Sequence, residues 1–183
     1  VARRTVVQDL ESHDFDLVKN ATVIVRRAKS GETLRTLDGV ERKLNPENLV
    51  IADADDPIGI GGVIGGANSE IGNGTTTVLL ESATFNGLNN RETAQAMDLR
   101  TEATLRFEKG LRAELAPIAL RRATGLIQEV AGGEVAPGIV DVFPDSGALP
   151  LKVTLTATRL KQVLGMEVDL ETARRVLESL GFE

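Results

Sequence analysis

Two segments of this chain carry side chains that a plain apolar core would not tolerate. From Leu99 to Gly110, two threonines, Ala103 and five charged residues surround only three large apolar side chains. Upstream, Glu81 follows the apolar run Val78-Leu79-Leu80 and precedes Ser82-Ala83-Thr84-Phe85, where a buried strand ordinarily ends in something neutral. A carboxylate in that setting needs a counter-charge, a hydrogen-bond donor or a ligand. As a structural residue Glu81 would pair with an arginine, the candidates being Arg91, Arg100 and Arg106; as a functional one it would accept a hydrogen bond from a substrate. In the second segment, Thr101 can cap a short helix from Glu102 to Glu108. Arg106, Glu108 and Lys109 read as solvated charges or structural pairs.

His13 is the only imidazole in the chain, and its neighbours Asp14 and Asp16 place it by default at the surface. No residue reads as the nucleophile of a serine or cysteine triad. The run Gly59-Ile-Gly-Gly-Val-Ile-Gly-Gly66 invites a nucleotide-loop reading, but the dinucleotide fingerprint requires glycine where Ile64 stands, and no Gly-Lys-Ser/Thr is present. The glycines then mark either a tight strand-turn with no ligand or a wall that a ligand approaches closely.

The elements that must position these residues follow from periodicity. Ala21 to Ala28 alternates as a half-buried strand, and Lys29-Ser-Gly-Glu32 turns it into Leu34 to Leu37, which predicts a hairpin. Asn48 to Asp53 is an apolar run closed by Ala54-Asp-Asp-Pro57, and Thr75 to Leu80 is β-branched and strand-like. Asn86 to Met97 has helical composition. Glu114 to Val130 aligns Leu115, Ile118, Ala119, Leu126 and Val130 on a long helix with Pro117 in its first turn and Gly132-Gly133 at its end. Glu134 to Val142 reads as a strand, and Phe143 to Pro150 as a linker. Beyond it come a short strand, Leu151 to Leu155, and two helices, 157–164 and 170–180, the second capped by Asp169.

With 183 residues, the chain can bury a sizeable core. It has no cysteine, which removes disulfides and thiolate metal sites, and one histidine cannot build a His-rich metal cluster; no metal site is expected. No apolar run reaches the roughly 18–20 residues of a membrane span, so a membrane partner is not expected and a cytoplasmic location is. Net charge is −6 and the aromatics are five phenylalanines, a surface that does not attract polyanions by itself.

Seven ordered motifs resemble the editing module of bacterial-type phenylalanyl-tRNA synthetase β-subunits, formed by their third and fourth domains (B3/B4). They are His13-Asp14-Phe15-Asp16, Arg26-Arg27-Ala28, Thr36-Leu37-Asp38-Gly39, Gly61 to Gly66, Leu80 to Phe85, Leu99 to Gly110 and Ala131-Gly132-Gly133. Leu164-Gly165 and Leu177 to Phe182 resemble the start of the next domain. The resemblance implies an α+β fold, mixed sheets packed with helices, plus a partial helical C-terminal segment. It implies an editing module over 1–146, incomplete at its N-terminal side, and the first half of the following domain over 147–183. The implied activity is hydrolysis of the ester of tyrosine mischarged on phenylalanine tRNA, the alternative being a non-catalytic structural or tRNA-docking module of the synthetase.

On that resemblance, Glu81 would read the para-hydroxyl of tyrosine, because an acceptor rewards a hydroxylated substrate where an apolar pocket cannot reject one. Gly65 and Gly66 would leave room for the aminoacyl group, Thr101 would offer a hydroxyl, and Ala103 would keep the pocket small. His13 would orient the terminal ribose or the attacking water, although Asp9-Leu10-Glu11 stands where the family usually reads Gly-Gln-Pro. Implied partners are the 3′ end of phenylalanine tRNA and the synthetase α-subunit in an α2β2 assembly. No cofactor is implied for this segment; ATP and magnesium belong to the α-subunit's aminoacylation.

Overall fold

The computed structural model describes residues 10–143 and 152–182. The chain divides into two compact units, up to Ala136 and from Pro137 onward; the boundary expected at 146/147 falls outside the described residues. The first unit is α+β, as expected, but its strands pair differently from the sequence reading. In chain order they are β1 (Leu10–Asp14), β2 (Ile24–Arg27), β3 (Thr33–Arg35), β4 (Glu41–Lys43), β5 (Leu49–Ala52), β6 (Pro57–Ile60), β7 (Ile64–Gly65) and β8 (Val78–Ser82). They form a four-stranded antiparallel sheet, β2-β5-β6-β7, and two antiparallel pairs, β1-β8 and β3-β4.

The hairpin expected between residues 21–28 and 34–37 does not form. β2 pairs with β5 in the register Ile24↔Ala52 to Arg27↔Leu49, and Ala28 N–H extends the pairing to Asn48 O at 2.9 Å. The intervening turn is held instead by Arg26, whose guanidinium donates to both Glu32 oxygens at 2.9 and 2.7 Å, and by Lys29 N–H, which donates to Glu32 at 2.7 Å. The Arg26 bond, followed by the Lys29 amide, holds the Glu32 carboxyl below its ordinary range. As an edge strand β2 is also more exposed than a half-buried one, with Ile24 and Val25 largely in solvent.

β5 explains its own apolar run. Val50, Ile51 and Ala52 are all fully buried, because both faces of this interior strand are covered. Val50 joins Ala28, Leu34, Leu44, Ile60 and Val63 in one cluster, and Ile51 joins Val18 and Ile58 in another. Asp53 then ends the strand by accepting from the backbone N–H groups of Asp55, Asp56 and Lys19. Burial opposes its ionisation, but those donors outweigh it and its pKa is lowered.

Helices α1 (Gly87–Ala96), α2 (Glu102–Phe107) and α3 (Leu115–Ala131) complete the first unit. α1 and α2 pack together, joined at their base by the Phe85 and Phe107 rings, 5.4 Å apart. α3 lies against β8, where Ser82 Oγ donates to Ala116 O at 2.9 Å. Residues 134–142, expected as a strand, are irregular. Gly133 and Gly138 hold positive φ there, and Val135, Val140 and Val142 stay exposed, since alternation without a pairing partner does not make a strand. In the second unit, residues 152–155 are likewise not a strand; Leu151 lies outside the described residues. α4 (Ala157–Leu164) and α5 (Leu170–Ser179) are present, and Asp169 caps α5 through Thr172 N–H at 2.8 Å.

Candidate functional site

The pairing of β1 with β8 joins two distant segments and creates the site. Its register sets Glu11 opposite Glu81 and His13 opposite Leu79. Alternation along a strand puts Glu11, His13 and Glu81 on one face, while Ser82, of opposite parity, turns to α3. Glu81 thus lies inside a strand, not beyond its end, on the face it shares with His13 and Glu11.

That cavity has a volume of about 400 Å³, and its wall includes Glu11, His13, Gly65, Gly66, Ser69 and Glu70. His13 is not at the surface, as its acidic neighbours led one to expect, but 1% exposed. The acidic neighbours turn elsewhere: Asp14 accepts from Thr75 Oγ and from Asp16 N–H. His13 Nδ1 lies 2.8 Å from Ser69 Oγ, in a short 3-10 turn, Ala67–Ser69. Its Nε2 has no hydrogen-bond partner in the protein and lies 3.9 Å from Glu81 Oε2.

A carboxylate facing Nε2 favours a hydrogen on that nitrogen. Ser69 Oγ can then donate to Nδ1 over 2.8 Å, whereas its other acceptor, Ile58 O, is 3.4 Å away and competes poorly. With the hydrogen on Nε2, His13 is a buried donor and Glu81 an adjacent acceptor, 3.9 Å apart, separated by too much for a direct bond and by little enough for one hydroxyl to meet both. Glu81 is 18% exposed, and among the described residues its ring neighbour is this imidazole and not an arginine. Arg106 pairs with Glu102 at 3.0 Å, and Arg91 and Arg100 line a separate cavity of about 550 Å³.

The remaining expected residues stand around this centre in different ways. Gly65 lies under the Glu11 carboxylate, and a Cβ there would collide with it; the room it leaves is filled by the chain's own side chain. Gly66 is hemmed in by Asn68, Ile58 O and Leu34, so backbone packing alone requires glycine. Thr101 caps α2, accepting from Thr104 N–H at 3.2 Å and donating to Val63 O at 3.0 Å. With its proton committed to Val63, whose residue lines the cavity, Thr101 braces the wall and offers no donor to it. Ala103 sits half-buried in the first turn of α2 and does not line the cavity.

The β6–β7 connection turns at Gly62, where φ is +68° and Asn90 Nδ2 donates to Gly62 O at 2.9 Å. A side chain there would meet Asn90, Phe85 and Phe107, so the glycine-rich run is a tight turn locked by α1 and α2. Two participants escaped the sequence reading. Glu11 could have been found, since it lies two residues before His13 and shares its face. Ser69 could not, because 56 residues separate it from His13.

Residues 5–132 match the B3/4 domain family. The chain is 47% identical to a phenylalanine–tRNA ligase beta subunit of Dehalococcoides mccartyi strain CBDB1 over 175 residues, which is 96% of this chain and 22% of that protein. Beta subunits of Moorella thermoacetica and Salinibacter ruber are 45% and 42% identical, over 96% of the chain and 22% and 21% of their own lengths. The chain thus spans about a fifth of the relatives it matches. No helix among the described residues is long and apolar enough to cross a membrane.

Proposed function

The chain belongs to the B3/4 domain family, and from that premise and the geometry of its pocket we propose that it edits mischarged tRNA by hydrolysing the ester of tyrosine on phenylalanine tRNA. The observation that carries the reading is the His13–Glu81 pair: a buried, unpartnered imidazole nitrogen 3.9 Å from a carboxylate oxygen, with His13 on the wall of a cavity that Glu81 itself does not line. A phenol oxygen between them accepts from Nε2–H and donates to Glu81, satisfying both. Phenylalanine leaves both unmet, and a site with unpaired buried polar groups rejects the analogue that lacks the hydroxyl by orders of magnitude.

In this reading His13 reads the substrate together with Glu81 and does not direct the water. Ser69 fixes the imidazole, and Thr101 fixes the β6–β7 turn. The chemistry is addition of water to the ester carbonyl and cleavage of the carbon–ribose oxygen bond; the ribose oxygen takes up a proton and leaves as free tRNA, and the acyl group with the water oxygen becomes the carboxylate of free tyrosine. An aminoacyl ester is already activated, so holding ester and water in register supplies most of the acceleration, with the terminal ribose hydroxyl assisting. The step draws on no cofactor of this segment; ATP and magnesium serve aminoacylation by a partner α-subunit, in a cytoplasmic α2β2 assembly in which the whole β-subunit takes part. The similarity to ligase beta subunits supports that placement.

The test is deacylation of tyrosine-charged and phenylalanine-charged phenylalanine tRNA by the chain and by its Glu81→Ala variant. Tyrosine-selective hydrolysis that the substitution abolishes is the expected result. Hydrolysis indifferent to Glu81, or no hydrolysis by the chain or by an α2β2 enzyme containing it, would sink the reading.

A further inference from the structure

The larger cavity of the first unit, about 550 Å³ between α1 and α2, has no part in the reading above. Ala94, Leu99 and Leu105 give it apolar wall, and its charged residues are Arg91, Arg100 and Lys109 against Asp98 and Glu108. Cations outnumber carboxylates here, although the chain as a whole has 27 acidic and 21 basic residues. With acids in excess, a base ordinarily finds a partner. Among the described residues these three do not: the ion pairs engage other cations, Arg106 of α2 included. Like charges gathered round one cavity repel unless an anion lies between them.

The two carboxylates narrow what that anion can be. Asp98 stands in the left-handed conformation, φ +51°, where the chain leaves α1 and turns into Leu99. A bare anion would meet its charge and that of Glu108 with nothing to offer them. A ribonucleotide offers phosphate oxygens to the cations, a 2′-hydroxyl that donates to a carboxylate, and a base that lies on apolar wall or on a guanidinium plane. The cavity is also close to the acidic pocket. Leu99 packs with Ile64 against the cluster that contains Val63, and Thr101 Oγ donates to Val63 O at 3.0 Å. Val63 and Ile64 line the acidic pocket and Leu99 the larger cavity, so the two flank one wall.

We propose that the α1–α2 cavity binds one nucleotide of single-stranded RNA, its phosphate on Arg91, Arg100 and Lys109 and its 2′-hydroxyl on Asp98 or Glu108, while the ester at the end of the same strand enters the acidic pocket. The inference rests on the tRNA reading above, which supplies the RNA. The net charge of the chain repels RNA at large, so this contact is local and the body of the tRNA is held elsewhere.

The probe is the RNA trinucleotide CCA, beside its DNA counterpart, titrated by NMR into the chain and its Arg100→Gln and Lys109→Gln variants. Neither cation holds a carboxylate in the fold, so both variants should melt with the parent. The RNA is expected to shift the amides of residues 98–105 and to bind about tenfold tighter than the DNA, the worth of one hydrogen bond to a charged acceptor. Each substitution should weaken RNA binding about tenfold and lower its salt slope by about 0.7. In deacylation of the tyrosyl ester on tRNA, Arg100→Gln should raise KM about tenfold and leave kcat and the preference for tyrosine unchanged. No RNA binding, equal affinity for DNA or for a hexaglutamate peptide, shifts away from α1 and α2, or binding indifferent to both substitutions overturns the site. So does a variant that melts several degrees early, which makes the cation structural, or an altered preference for tyrosine, which puts the cavity in amino-acid recognition. Arg100-dependent RNA binding without any deacylation leaves the site standing and removes the hydrolytic reading.

Discussion

Replacing Glu81 by glutamine separates the functional role of this residue from a structural one, because the two predict opposite signs. Glutamine keeps the shape and one acceptor oxygen but loses the charge. A hydrogen bond to a charged group contributes about 1.5–3 kcal/mol and one between neutral groups about 0.5–1.5. The tyrosine hydroxyl therefore loses about 1–1.5 kcal/mol, a roughly 5- to 12-fold fall in kcat/KM for the tyrosyl ester, with the phenylalanyl ester unchanged. Stability should move the other way. Glu81 faces Glu11 across the strands, and relief of a directly opposed like-charge pair is worth about 0.2–1 kcal/mol, a rise of up to about 3 °C in Tm for a unit of this size. The assay is single-turnover deacylation of both charged tRNAs, alongside thermal unfolding followed by circular dichroism. A drop in Tm of several degrees, or equal losses for the two esters, would refute the argument, since either would make Glu81 part of the framework.

Ser69→Ala removes the partner of a buried Nδ1, which costs about 1–3 kcal/mol; Tm should fall by about 3–9 °C and tyrosine selectivity should fall with it, both measurable on the same samples. Gly65→Ala drives a methyl into the Glu11 carboxylate and should cost about 1–3 kcal/mol in denaturant unfolding. The double variant with Glu11→Ala should recover part of that loss, a coupling that independent sites would lack. Asp38 supplies a pH prediction: a hydrogen bond from Thr36, reinforced by the Arg42 guanidinium, lowers its pKa from 3.8 to about 2. A carboxylate whose folded pKa is depressed adds stability above its unfolded pKa, so this contribution is complete above 3.8 and disappears as pH falls through about 2. Carboxyl titration by NMR should return Asp38 toward its ordinary value in Thr36→Val.

Local rules sufficed where the determinants are local. The Thr101 cap and the helix behind it, the N-capped α5 and the Gly132 stop of α3 each depend on residues within a turn or two, and each lies where the pattern put it. β5 was legible because an interior strand shows as an unbroken apolar run. The β2 partner was not, because Ile24–Arg27 is compatible with any apolar edge and the Arg26–Glu32 clasp, not a hairpin register, shapes the turn that follows. His13 was misplaced for a related reason. Its sequence neighbours are acidic, yet its environment is set by Ser69 and Glu81, from segments 56 and more residues away, and burial is decided by those partners. Residues 134–142 fail in the opposite direction, having the alternation of a strand and no strand to pair with.

The division of labour in the proposed reaction follows from the same charges. A chain of net charge −6, with a pocket walled by Glu11 and Glu70, gains nothing in that pocket from the phosphate backbone, which dominates the affinity of proteins for RNA. Such a pocket can afford acidity only if affinity for the tRNA body is supplied by other parts of the assembly. Acidity then serves selection, since a carboxylate such as Glu81 rewards a hydroxyl, a reward not open to a phosphate. The expected signature is a salt dependence of tRNA binding that Glu11→Gln and Glu81→Gln leave unaltered in slope, while Glu81→Gln changes which aminoacyl ester is cleaved. A steepened slope in either variant would mean that these carboxylates oppose the backbone directly and that selection and docking share one surface.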